Sequence, residues 1–208
     1  MFKFDRKEFF EAYREHFGPL SQTLVQSLDA LLDQIEKDNR FEDVTDPQTG
    51  RRQLAYCLAT FKWETAQTMQ PIDEHGSDAY FEKRYGAGTS VGKMLGNTQA
   101  GDGARFHGRG FVQLTGRTNY KRAGDFLKVD LIAHPEKAKD IDLAYRIATE
   151  GMIEGWFTGK KLSNFFQNGK LPQWVDARTI INGHDKAQEI ATLGRQFAEI
   201  LEVSMQQS

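Results

Sequence analysis

Apolar residues recur at helical spacing along most of the chain. Phe9, Tyr13 and Phe17 lie four apart, Asp5 and Glu8 stand at the capping-box interval, and Gly18-Pro19 supplies a stop, predicting a helix that ends near residue 17. Leu24, Leu28, Leu31 or Leu32, and Ile35 predict a second helix. FEDVTDPQTG, residues 41–50, reads as a loop because Asp-Pro and Thr-Gly interrupt any period. A third helix follows from about Arg51 to Thr65. Leu54, Leu58, Phe61 and Thr65 share one face of it, and Glu64 lies beside Cys57 and Phe61 at the edge of that face.

Pro71 predicts that PIDEHGSD, residues 71–78, is a loop, followed by a short helix around Tyr80 to Tyr85. From Gly86 to Gly110 the frequent glycines predict a long irregular excursion. FVQLT, residues 111–115, alternates like a strand, with Phe111, Gln113 and Thr115 on one face and Val112 and Leu114 on the other. Thr118 is placed to cap a helix through about Leu127, and residues 141–157 form another with Leu143, Ile147 and Phe157 spaced for burial. Pro172 suits the first turn of a further helix, and Asp185 with Gln188 repeats the capping-box interval before a C-terminal one. The expected architecture is one mainly α domain over residues 1–208, of about eight helices with a small β element. Its first 45 residues form a helical extension packed on the rest.

Size and composition narrow the function. A chain of 208 residues can bury a real core, and no apolar run approaches the roughly 18 residues of a membrane span, so stable membrane insertion is not expected. MFKFDRKEFFEAYREHF mixes charges with aromatics and lacks a secretory h-region, so synthesis in the cytoplasm is expected. Lone Cys57 reads as a buried thiol. The net charge of −2 argues against a nucleic-acid partner, although residues 103–122 carry Arg105, Arg109, Arg117, Lys121 and Arg122 with no acid between them. The five histidines, at 16, 75, 107, 134 and 184, never stand three to five apart, so no helical or finger-type zinc site is expected.

Glu64 alone reads as an ordinary carboxylate near a helix end. Glu74, beyond the Pro71 break and beside Asp73, changes that reading, because a helix and a returning loop can then offer two carboxylates. Such a pair suits glycoside hydrolysis, in which one acid protonates the leaving oxygen and the other activates water or attacks the sugar. GRGFVQLTGRTNY, residues 108–120, adds glycines for close backbone approach and the polar groups of Gln113 and Thr115.

Glu64-Thr65, the loop acid near 74, GRGFVQLTGRTNY and IING at 180–183 resemble, in that order, glycoside hydrolase family 19: the chitinases and the related phage endolysins. The resemblance covers roughly residues 52 to 200. It implies a lysozyme-like glycosidase with a sugar cleft bordered by the long glycine-rich loop, inverting chemistry, no metal or cofactor, and a monomer. Glu64 then corresponds to the general acid, Glu74 to the second carboxylate with Glu82 as alternative, and Thr115 to the residue that positions water. Gln113, Asn119 and Asn182 correspond to amides lining the sugar cleft, Tyr80 and Tyr85 are candidate sugar platforms, and Arg109 is a structural partner for a cleft acid. Trp63 stands where the endolysin branch usually has histidine. The late arginine of the family has only Arg195 as a candidate. Apolar neighbours of Glu64 favour its protonated form, and the implied substrate is peptidoglycan, with chitin as the alternative.

Overall fold

A computed structural model describes residues 3–42 and 46–206. In chain order its elements are β1 (Lys3–Phe4), α1 (Arg6–Phe17), α2 (Gln22–Asp38), α3 (Pro47–Glu64), β2 (Ile72–Asp73), α4 (Asp78–Tyr85), α5 (Ser90–Met94), α6 (Asp102–Arg105), β3 (Arg109–Gly110), α7 (Arg117–Leu127), α8 (Ile141–Glu154), α9 (Leu162–Phe165), α10 (Ala187–Ser204) and β4 (Met205–Gln206), with 3-10 turns at Pro135–Lys139 and Asp176–Ile180. Contacts divide the chain into two compact units, Met1–Met69 with Thr149–Ser208, and Gln70–Ala148. Among the described residues no helix is long and apolar enough to cross a membrane.

In the first unit the opening helices form as the sequence predicts. The Asp5 carboxylate accepts from the Glu8 N–H at 3.1 Å, and Gly18, with φ of 84°, closes α1. Ser21 caps α2, which buries Leu28, Leu31, Leu32 and Ile35, and Arg6 reaches across to Asp29, Asp33 and Glu36 of that helix. β1 pairs antiparallel with β4, setting Phe4 opposite Met205.

α3 begins at Pro47, four residues earlier than expected. Asp46 caps it by accepting from the Thr49 N–H, and Pro47 occupies the first turn, where its missing N–H costs nothing, so the Asp-Pro that looked like a break is a start signal. Residues 43–45 of the expected loop lie outside the described residues. The middle of α3 is buried on every side, from Leu54 through Lys62. α10 packs along it, and Gly194 is the close approach: a Cβ there would stand 2.8 Å from the Trp174 ring. The C-terminal helix lacks the predicted capping box, since its cap is Lys186 and no side chain serves it. Pro172 precedes a turn and the 3-10 segment rather than opening a helix. α8 stops at Glu154, and Phe157, beyond it, folds back over Gly151.

The second unit centres on β2 and β3, with Asp73 opposite Arg109 and Ile72 opposite Gly110. The strand expected at 111–115 is instead the loop of a tight hairpin. Leu114 N–H donates to Arg109 O at 2.8 Å and Arg109 N–H to Leu114 O at 3.2 Å, while Gly110 (φ 88°) and Gln113 (φ 56°) turn the chain between them. α4 forms where predicted, with Ser77 as cap, and the expected irregular stretch carries the short helices α5 and α6. Thr118 lies within α7, whose cap is Gly116.

Lys62 is a buried amine. Its Nζ donates to the Tyr13 hydroxyl at 2.8 Å and lies 4.9 Å and 4.4 Å from the ring centres of Tyr13 and Phe17, fixing α1 to the end of α3. Burial pushes its pKa down to about 8 from the ordinary 10.5. The unfolded chain therefore binds more protons than the folded chain between those values, and this group adds stability as pH rises through that window. Relative to a Lys62→Met chain, the native protein gains stability from pH 8 to 10.5 by at most about 1.4 kcal/mol per pH unit. Urea midpoints of both chains across that range check the difference.

Candidate active site

Glu64 is the last residue of α3, and its partner is a guanidinium that the sequence did not reveal. Arg178 Nη1 donates to Glu64 Oε1 at 2.6 Å, with side-chain exposures of 5% and 20%. Arg178 sits in the Asp176–Ile180 turn and also donates from Nε to the Asp185 carbonyl at 3.1 Å, which fixes the plane of its fork. Arg195, the sequence candidate, is exposed on α10. One further group faces this pair. The Tyr56 hydroxyl, two helical turns before Glu64, is fully buried with no hydrogen-bond partner among the described residues. Burial pushes its pKa up, Glu64 adds to that effect, and Arg178 opposes it.

The chain just after Glu64 is strained. Ala66, Gln67 and Met69 have φ of 49°, 69° and 54°, a conformation that costs non-glycine residues on the order of 1 to 3 kcal/mol each. Thr65 compensates: its hydroxyl donates to Phe61 O at 2.7 Å and accepts from the Met69 N–H at 3.1 Å. Asn182, in the turn after Arg178, is exposed and donates its N–H to Arg178 O.

Within the second unit, Glu74 directly follows β2. Its Oε1 accepts from the Tyr85 hydroxyl at 2.9 Å and its Oε2 from the Gly108 N–H at 3.2 Å. Burial, then the Glu74 hydrogen bond, push the Tyr85 pKa up to about 12. Gly108 is where this carboxylate and Gln113 converge, since a Cβ there would stand 2.8 Å from Gln113 Oε1 and 3.1 Å from Glu74 Oε2. Gln113 Nε2 makes long contacts to the Ile72 and Gly110 carbonyls. The Thr115 hydroxyl donates to Gln113 O at 2.7 Å, and Asn119 Nδ2 donates to Thr115 O at 2.8 Å. Gln113, Thr115 and Asn119 are thus brought together by the hairpin and the start of α7, not by strand alternation.

The remaining predicted residues have distinct surroundings. Glu82 Oε1 accepts from the Ala104 N–H at 2.8 Å, so this carboxylate holds α6 to α4. Tyr80 is 41% exposed, with the Arg84 guanidinium 5.9 Å from its ring centre and donating to its hydroxyl, whereas Tyr85 is 8% exposed and commits its hydroxyl to Glu74. Arg109 pairs with Asp73 at 3.0 Å and donates to the Tyr120 hydroxyl at 2.9 Å. Asp73 also receives Lys139 and His107. Burial works against its charge, but these cations and hydrogen bonds outweigh it and hold its carboxyl below the usual range. Arg109 therefore fixes the residue beside Glu74 rather than Glu74 itself.

This fold is that of known chitinases. The chain superimposes on chitinase C from Streptomyces griseus HUT6037 with a TM-score of 0.60 at 21% identity, covering 96% of this chain and 92% of that one. A bacterial family 19 chitinase gives 0.57 at 17% identity, covering 96% and 95%. Both share the mainly helical, lysozyme-like architecture. Over residues 20–178 the chain matches the chitinase class I family, glycoside hydrolase family 19, and it belongs to that family. The match begins earlier than the resemblance read from sequence and takes in α2. Acidic endochitinase pcht28 of Solanum chilense is 31% identical over 115 residues, a stretch covering 54% of this chain and 44% of that protein. The match thus spans less than half the length of this relative.

Removing one member of the Glu64–Arg178 pair leaves a charge in a site largely closed to water. Arg178→Gln is expected to cost about 2 to 4 kcal/mol, less than for a fully buried pair because Glu64 is partly exposed. The Glu64→Gln/Arg178→Gln chain should lose less than the sum of the single changes, with a coupling of about 1 kcal/mol or more in a urea-denaturation cycle.

Proposed function

We propose that the protein is a peptidoglycan-degrading glycoside hydrolase of the endolysin type, cleaving β-1,4 bonds between N-acetylated amino sugars with inversion. The observation that carries this reading is Glu64 itself: a half-buried carboxylate at the end of a buried helix, gripped by Arg178, in a chain of family 19. In this reading Glu64 protonates the leaving oxygen. The guanidinium orients its carboxyl group and stabilises the charge left after proton transfer. Glu74, held by Tyr85 and the Gly108 N–H, takes a proton from the attacking water, and Thr115 positions that water. Inverting hydrolysis places such carboxyl groups about 6.5 to 9.5 Å apart, with the water between them. Gln113, Asn119 and Asn182 bind sugar amide and hydroxyl groups, and the exposed Tyr80 stacks on a sugar ring.

The short interval between Glu64 and Glu74, a feature of the endolysin resemblance, favours peptidoglycan. An enzyme of this type is made in the cytoplasm and meets the wall after release. Chitin is the second reading, favoured by the names of the relatives, which are chitinases.

Reducing-end release from purified peptidoglycan and from chitin oligomers separates the two substrates, and release of new amino termini instead would refute glycosidase activity. Glu64→Gln is expected to lower turnover roughly 10²- to 10⁴-fold with polysaccharide binding largely kept. Glu74→Gln should do likewise. Glu82→Gln retains an oxygen for the Ala104 N–H and should leave turnover within a few fold.

A further inference from the structure

Arg84, in the last turn of α4, belongs to the unit that carries Glu74 and takes no part in the proposed hydrolysis. It is exposed, yet its guanidinium is held in place. Nη1 donates to the Tyr80 hydroxyl one turn back, and Cζ lies 5.9 Å from the ring centre of Tyr80 and 5.2 Å from that of Tyr85. Among the described residues Arg84 makes no ion pair, and Tyr80 is the acceptor of its one side-chain hydrogen bond. The nearby acids are committed elsewhere. Glu74 spends its two oxygens on Tyr85 and Gly108, Glu82 accepts from the Ala104 N–H, and Asp78, six positions back, lies on another face of α4. The Tyr80 hydrogen bond is the largest of the effects that raise the Arg84 pKa, and the Glu74 charge is a smaller one. With Nη1 on Tyr80, the edge formed by Nε and Nη2 is left for a bidentate carboxylate.

We infer that Arg84 is a specificity-determining residue, which takes a peptide carboxylate of the substrate beside the sugar stacked on Tyr80. This role rests on the peptidoglycan reading. Chitin is a neutral polymer. In peptidoglycan the carboxyl group of the sugar itself is amide-linked, so the free carboxylates are those of the peptides carried on alternate sugars. Tyr80 and Arg84 are four positions apart and share a face of α4, so a sugar resting on the first carries its peptide past the second. The two tyrosine rings order the guanidinium before the substrate arrives, which lowers the cost of fixing it on binding. The contact is open to water and therefore weaker than a buried pair. It discriminates a charged wall polymer from a neutral one rather than accelerating the chemical step.

The test compares reducing-end release from purified peptidoglycan with release from the same material after its free carboxylates have been converted to amides. Amidation should lower kcat/KM of the native chain about three- to tenfold, mainly through KM. Arg84→Gln, with an unchanged melting temperature, should cleave untreated peptidoglycan about as slowly as the native chain cleaves the amidated form, and should no longer distinguish the two. Arg84→Lys keeps the charge without the fork and should retain part of the preference. A preference for untreated peptidoglycan that persists in full in Arg84→Gln would overturn the role. So would an equal loss on both materials, which would make Arg84 a support for Tyr80 or Glu74 instead. A native chain that releases no reducing ends from peptidoglycan refutes the peptidoglycan reading and this role with it, whereas a native chain that cleaves it and an Arg84→Gln chain that keeps the preference refute this role alone.

Discussion

The ion pair between Arg178 and Glu64 is the constraint around which the first unit is built. A guanidinium with 5% side-chain exposure needs oxygen acceptors, and it has two that are far apart in sequence, the Glu64 carboxylate and the Asp185 carbonyl. Holding both fixes the turn at Asp176–Ile180 against the end of α3. That helix can bring a carboxylate to this point because its middle is buried on every side, with α10 packed along it and Gly194 admitting Trp174. The left-handed residues that follow Glu64 carry a strain that this surrounding structure tolerates.

A second constraint shapes Glu74. Its two oxygens take one side-chain and one backbone donor, and its neighbour Asp73 is held by Arg109, Lys139 and His107. Two adjacent acids on one short strand end thus have different partners. Asp73 is surrounded by cations and serves as an anchor. Glu74 receives neutral donors and keeps a carboxylate oxygen beside Gln113, at a spot that only a glycine at 108 leaves open. That division fits a structural acid beside a chemical one.

Local signals were legible in the sequence where local physics decides the structure. Asp5, Gly18 and the leucines of α2 specify their helices through capping and periodicity, and the structure has both, with α1 capped and stopped at those two residues. FVQLT shows the limit of periodicity: its alternation is real, but positive φ at Gly110 and Gln113 turns it into a hairpin loop, and neither angle is written in the apolar pattern. Asp46-Pro47 was ambiguous, because the same dipeptide breaks one helix and starts another. For the candidate site, Glu64, Glu74 and the 108–120 segment were found from residue type and order. Arg178 was missed because it lies 114 positions from Glu64, and only the fold joins them. The nearby IING at 180–183 was the one clue to that region.

In the proposed reaction Glu64, steadied by Arg178, donates a proton while water attacks the sugar in a single displacement. Proton NMR of the first product formed from a β-1,4-linked substrate, recorded before mutarotation, tests it most directly. The new reducing end is expected to appear as the α-anomer. A product released first as the β-anomer would contradict it.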